Sequence, residues 1–402
     1  MTRVKIGSKI ISVNYILLFF LLMPCFQPSS ISVGYFGVFL ARLYDASEFF
    51  LYVYAILAMI KRKLKMHRAM KLLIFSELWI FIATMINGAE ILDSLHSMLL
   101  IICTLYVVYI FGENMKVVSK VLMLHVELCI YINVLTLIVF PDRMYGFKSI
   151  AYGLSSEWFL GYNTNFLLWL FPATWIAILY GNVTKNWRRS LALIIGCIIN
   201  LVIKGSSTAL IGVAIILILY FLPFLRKVIN PKIMLGFSLA GMLMIVFFTK
   251  YLQMFNWLIV GVLGKDLTFS NRVIIWENAI NLISKNWLVG YGVIEQGELA
   301  GLLGMYSATH SHNFYLQLVL NGGVISLILF VGAQVYLIKC LRKYNKHGIV
   351  ALMVIAMVAF NIISSTEILN YPQIIILFSV ASRISRECQL LGETYFNPLK
   401  FR

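Results

Sequence analysis

The stretch HNFYLQLVLNGGVISLILFVGAQVYLI, His312–Ile338, decides the fold. From Asn313 onward it carries no Lys, Arg, Asp or Glu. A helix needs about 20 mostly apolar residues to cross a bilayer core of about 30 Å, so the stretch reads as a membrane span over 313–338. Comparable runs recur along the chain. About twelve are predicted, near 10–26, 44–60, 71–87, 95–111, 117–140, 163–181, 189–204, 207–225, 233–250, 313–338, 348–364 and 368–382. The composition agrees, at 61% hydrophobic and 12% charged over 402 residues, where soluble domains carry about 25% charged residues. The expectation is an all-α polytopic membrane protein, with 1–402 forming a single integral membrane domain.

The net charge of +17 is a topology signal and not a nucleic-acid signal. Most Lys and Arg fall on one side of the predicted spans, as in KRKLKMHRAMK after the second and KCLRKYNK after the tenth. Such loops are cytoplasmic by the positive-inside rule, which puts both termini in the cytoplasm. Most acidic residues, among them Glu48, Glu90, Glu157, Glu277 and Glu367, fall on the opposite, outer side. The six cysteines are scattered without a CxxC pair, so neither a disulfide framework nor a zinc site is expected. The basic, apolar N-terminus resembles a signal peptide, but LLMPCF lacks the small residues of a cleavage site. A retained first span is the reading adopted.

Two outer segments are long. FPDRMYGFKSIAYGLSSEWFLGYNTN separates spans five and six, and its Tyr145, Phe147, Tyr152, Trp158, Phe159 and Tyr162 suit either sugar stacking or an ordinary interfacial belt. The extracytoplasmic loop 251–312 is longer still, and loops of that length are usually functional or disordered. Within it Val273, Trp276, Ile280, Ile283 and Trp287 recur at near-helical spacing. An amphipathic helix is predicted there, on the membrane surface or on the bundle, ended by the GYG turn at 290–292.

The candidates for chemistry gather around this loop. Ser311 or His312 stands where span ten should be capped, and Asn313, Gln317 and Asn321 form one stripe at i, i+4, i+8. The positive end of a helix disfavours an imidazolium, so His312 is expected neutral and able to accept a proton. A polar interface cap explains the same position equally well. His310 pairs with it in sequence but no third metal ligand follows at useful spacing, so no metal is expected. The amide stripe fits interhelical hydrogen bonds as well as substrate. Arg272 opens the amphipathic helix and suits a phosphate or an ordinary ion pair. Lys204, at the end of span seven in LVIKGSSTALIGV, is a costly intramembrane charge or a topological stop. Glu77 and Glu127 lie inside predicted spans and suit a proton path or an interhelical pair, for which His125 is a candidate partner.

SNRVIIWENAINLISKNWLVGYG, followed by HSHNFYLQLVLNGGVISLILF, resembles the signature region of bacterial O-antigen polymerases and O-antigen ligases. The shared pattern is an Arg soon followed by Trp, a Gly-x-Gly turn, and a His-Asn pair opening a span with Gly shortly after. Here these are Arg272, Trp276, Gly290, Gly292, His312, Asn313 and Gly323. The resemblance implies a fold like that of C-class membrane glycosyltransferases in the bacterial cytoplasmic (inner) membrane. It implies transfer of glycan from undecaprenyl diphosphate to a sugar hydroxyl of another lipid-linked repeat unit, without cofactor or nucleotide sugar. His312 would be the base, Arg272 would steady the diphosphate, and His310, Asn313, Gln317 and Trp276 would position substrate or helix. The family often has Gly-Ser-Arg where this chain reads KGSST, with Ser207 in place of the Arg; Lys204 is the candidate replacement. Implied partners are lipid-linked oligosaccharides, membrane lipid, a flippase and a chain-length regulator, with no nucleic acid. The competing readings are a ligase for finished glycan, a flippase-type transporter and a non-catalytic scaffold.

Overall fold

The structure, a computed structural model, describes residues 3–6, 9–62, 65–149, 153–225, 236, 272–305, 308–342 and 348–395. The predicted ninth span, near 233–250, and the first part of the long loop, 251–271, lie outside the described residues.

The described chain is a helical bundle. Its elements are α1 (Val13–Leu22), α2 (Gly34–Lys61), α3 (Arg68–Asn87), α4 (Ile91–Phe111), α5 (Met115–Val139), α6 (Leu167–Thr184), α7 (Trp187–Lys204) and α8 (Ser207–Phe221). After the gap come α9 (Arg272–Lys285), α10 (Gln296–Leu302), α11 (Phe314–Arg342), α12 (Gly348–Ile363) and α13 (Pro372–Tyr395). By length and composition, five segments among the described residues are able to cross a membrane: Gly37–Lys61, Arg68–Asn87, Ile91–Val139, Asn163–Thr184 and Phe314–Arg342. Val13–Phe26, Ser207–Phe221 and Gly348–Ile363 are apolar but shorter. The chain is an integral membrane protein.

Local chemistry sets the breaks. Ile91–Val139 is divided by a 3-10 turn at Gly112–Asn114, after which the Asn114 side chain caps α5 by accepting from the Val117 N–H at 3.2 Å. Asn186 caps α7 and Ser206 caps α8 in the same way. Gly88 ends α3 in the left-handed conformation, φ 63°.

A helix that is apolar all round belongs inside, and α6 and α12 are buried nearly throughout. They pack on each other and on α13, with α5, α7 and α8 also against α6. At the periphery α2 leaves Phe39, Phe49 and Ile60 exposed, as suits a surface facing lipid. α11 lies along α3.

Two small sheets qualify the all-α expectation. Arg3–Ile6 (β1) pairs antiparallel with Lys9–Ser12 (β2), so the predicted first span begins with a strand and becomes helical only at Val13. In the first outer loop Tyr145–Ser149 (β3), Gly153–Trp158 (β4) and Gly161–Tyr162 (β5) form an antiparallel sheet. Trp158 is therefore 2% exposed, its indole donating to the Phe140 carbonyl at 2.8 Å. It is a packing residue and not an open sugar platform.

Of the carboxylates Glu77 and Glu127 inside predicted spans, Glu127 is ion-paired with Arg189, one Arg189 N–H reaching it at 2.7 Å. His125 is not its partner: the imidazole contacts the Phe19 carbonyl at 3.1 Å and stacks between Phe19 and Phe26. Glu77 is buried and makes no ion pair among the described residues.

Candidate active site

The site is built on a break in α11. The sequence predicts a continuous span over 313–338, but Gly322 (φ −132°, ψ 17°) and Gly323 (φ 62°, ψ −169°) leave the helical region. Breaking a helix in an apolar surrounding frees backbone groups that must find partners. Here the segment after α9 supplies them. The Tyr291 N–H donates to Leu320 O at 2.7 Å and the Gly292 N–H to Asn321 O at 2.9 Å, while the Val324 N–H donates to Trp287 O at 2.9 Å. The Trp79 indole of α3 takes Gly322 O at 2.8 Å, and Ser326 Oγ takes Leu318 O at 2.7 Å. The backbones approach so closely that only glycine fits. A Cβ on Gly290 would lie 2.5 Å from the Gly323 nitrogen, and one on Gly323 would lie 2.0 Å from the Leu288 oxygen. The GYG turn and the NGG sequence are thus two halves of one joint.

From Val324 to Arg342 the helix is about 28 Å long at about 1.5 Å per residue, close to the thickness of a bilayer core. Its far end carries Lys339 and Arg342. Val324–Arg342 alone is thus long enough to span the apolar layer, and the joint, with Phe314–Asn321 and the turn before it as the mouth of the site, stands at the opposite end from Lys339 and Arg342.

Asn313, and neither Ser311 nor His312, caps this first half of α11. Its Oδ1 accepts from the N–H groups of Tyr315 and Leu316, both at 3.0 Å. Its Nδ2 donates to Ser365 O at 3.0 Å, and the Phe314 N–H to Ser364 O at 2.9 Å, which fastens the mouth to the turn after α12. Gln317 accepts from the Ser311 N–H at 2.9 Å and donates to Asn321 at 2.8 Å. The amide stripe is thus used within the protein. Trp276 completes the scaffold: its indole donates to Ser311 O at 3.0 Å, and its ring packs with Ile275, Ala279, Leu299, Leu303 and Leu316. α9 buries Ile275, Trp276 and Ala279 against the bundle, whereas Trp287, predicted on the apolar face, lies past the helix end and is 58% exposed.

Held this way, His312 adopts φ 50°, a left-handed conformation unusual for a side chain with a Cβ. Its N–H donates to His310 Nδ1 at 3.1 Å, and the two rings meet edge to face at 4.2 Å. His312 Nδ1 is buried and has no hydrogen-bond partner among the described residues. That backbone bond occupies His310 Nδ1, and the described residues contain no group of three His, Cys, Asp or Glu placed to hold a metal.

Arg272 is the nearby cation. It donates to Thr366 O at 2.8 Å and to Glu367 at 2.9 Å, so in this state it is ion-paired. Burial, with His310 and Arg272 adding to it, holds His312 down at about 3; burial and Arg272 hold His310 at about 4. Both rings are neutral near pH 7. Glu367 is pushed up by burial, with Arg272 opposing.

The structure thus brings together Arg272, Trp276, His310, His312, Asn313 and Gln317. Lys204 stays apart, its ammonium 5.2 Å from the centre of the Trp158 ring. It lies at the same end of the bundle, because Gly212 of α8 abuts Ile363, which leads into Ser364–Glu367. The residues missed by sequence reasoning are Ser364–Glu367. The one signal there was a carboxylate in a short predicted outer loop, since main-chain contacts leave no mark on residue type.

No curated protein matches the chain. Residues 191–331 match the model of a family described as O-antigen ligase; the matched region takes in Lys204, Arg272, Trp276 and the His310–Gln317 mouth, and ends before Glu367. Over residues 191–331 the chain is thus similar to the O-antigen ligase family, in agreement with the resemblance read from its sequence.

Proposed function

We propose that the protein is a polysaccharide polymerase: a glycosyltransferase that passes a growing glycan from undecaprenyl diphosphate to a sugar hydroxyl of another lipid-linked repeat unit, extending O-antigen or capsular polysaccharide. The observation that carries this reading is the meeting of Arg272 with His310 and His312 at the mouth of a broken membrane helix. In the reaction the acceptor oxygen bonds to the anomeric carbon and its proton goes to His312. The bond from that carbon to the diphosphate oxygen breaks, and the lipid diphosphate leaves with the electron pair. A base pulled down to about 3 is weak, but the negative charge of a bound diphosphate next to Arg272 raises it towards a working value. Arg272 contacts the diphosphate, and Lys204 is a second cation for it once it leaves Trp158. Trp276, Asn313 and Gln317 hold the mouth in place.

The basic residues at the far end of α11 support a cytoplasmic location for that end. The reading is accordingly about twelve spans in the inner membrane, both termini cytoplasmic, the site on the outer face, and a flippase and chain-length regulator as partners. A ligase that moves finished glycan to another acceptor is the second reading, favoured by the description of the matched family. Transporters also use broken helices, through freed carbonyls that bind ions. Here Leu318, Leu320, Asn321 and Gly322 already spend theirs on protein donors, which argues against transport.

The test is a surface-glycan ladder from cells lacking the gene, complemented with wild type or His312→Ala at equal expression. A polymerase with His312 as base gives a single-repeat band and no ladder in both the null and the variant, since a base is worth about 10²–10⁴ in rate. Long lipid-linked glycan that accumulates untransferred identifies a ligase. A normal ladder in the null rejects both.

A further inference from the structure

The Arg272–Glu367 pair is the feature of the mouth that the proposed chemistry leaves unexplained. Arg272 has five N–H donors in a planar fork. One arm is fixed by the Thr366 carbonyl at 2.8 Å, and the other holds the Glu367 carboxylate at 2.9 Å. A carboxylate presents two oxygens to such a fork much as a phosphate does. The two contacts also differ in kind. The Thr366 carbonyl is part of the turn that Asn313 and Phe314 grip, whereas Glu367 is a side chain able to rotate away. Arg272 and Glu367 side chains are 24% and 18% exposed, so the pair borders the mouth and is not sealed in the core.

We propose that Glu367 is the built-in counter-ion of Arg272, a positioning residue that the lipid diphosphate displaces on binding and that reclaims the guanidinium as the diphosphate product leaves. This rests on the reading of Arg272 as the diphosphate ligand. In the resting state Glu367 keeps the fork aimed and neutralised; in the loaded state Arg272 keeps Thr366 and exchanges carboxylate for phosphate oxygen. A resting pair favoured about fivefold over the open arginine lowers apparent donor affinity by about the same factor. It speeds product release in the same way, because the carboxylate competes for Arg272.

The test measures undecaprenyl diphosphate binding to the full-length protein in lipid nanodiscs. Glu367→Gln is expected to tighten it about three- to tenfold, with stronger product inhibition and a lower donor KM in the transfer assay. Glu367→Asp, which keeps the charge, should restore wild-type affinity. Glu277→Gln controls for the general field, because Glu277 is an exposed acid on the same helix as Arg272; it should change little. Arg272→Ala should abolish binding. If Arg272→Ala weakens binding but Glu367→Gln leaves it unchanged or weaker, the counter-ion role is overturned and the diphosphate role of Arg272 stands. Equal tightening by Glu367→Gln and Glu277→Gln also overturns it. If Arg272→Ala binds normally, the diphosphate reading falls and takes this inference with it.

Discussion

His312 shows how a residue is strained by its scaffold. Its Ser311 neighbour is tied on both sides, by Trp276 and Gln317, and Asn313 is tied to Ser365. The backbone between them takes φ 50°, and a Cβ in that region costs about 1–2 kcal/mol. Glycine does not carry that cost. His312→Gly is therefore expected to be more stable than His312→Ala by about 1 kcal/mol, the reverse of the usual order, while both lack activity. Thermal denaturation of the two purified variants checks this; equal stability would mean that the strain is absent. At this scale the sequence draws attention to His312 and Arg272, because a polar residue beside an apolar run is conspicuous. It is silent on Glu367, an acid among others until folding sets it against Arg272.

At the scale of elements the decisive feature is the joint between the GYG turn and the break in α11. Gly323→Ala places a Cβ 2.0 Å from the Leu288 oxygen, at a positive φ as well. It should cost several kcal/mol, on the order of other substitutions forced into an incompatible conformation, and abolish the glycan ladder with the chemistry residues intact. Gly332→Ala is the matched control in the unbroken half of α11. Its Cβ would meet only Leu72, at 3.8 Å, so it should be neutral or stabilising by up to about 1 kcal/mol. Thermal stability and ladder length, measured together, check both. The break was hidden because NGG within an apolar run keeps the hydropathy of a span. Three of its bonds come from partners some 30 residues earlier that act through main-chain atoms, and a fourth from the Trp79 side chain, far away in sequence.

At the scale of the whole molecule, buried charges test whether the bundle is assembled as described. Glu127 is 11% exposed and Arg189 38%, so removing one partner leaves a cation only partly able to reach water. Glu127→Gln should destabilise the protein by about 1–3 kcal/mol, below the cost of breaking a fully buried pair. The double variant Glu127→Gln with Arg189→Gln should recover much of that loss. A double-mutant cycle on thermal stability reads the coupling, and additive effects would mean the two side chains do not meet.

The sequence by itself determined that this is a helical membrane protein, because apolar length and charge placement are properties of the linear chain. Each predicted span outside 233–250 overlaps a helix, and five segments among the described residues are long and apolar enough to cross a membrane. It also pointed to the Arg-Trp and His-Asn pattern, since those residues stand out against their surroundings. Only the tertiary structure decided that the His-bearing helix is broken, that Asn313 and not His312 caps it, that Lys204 rests on Trp158, and that Arg272 is held by Glu367. Each of those outcomes is a contact between segments far apart in sequence, and the energy of such contacts exists only once the chain has brought them together.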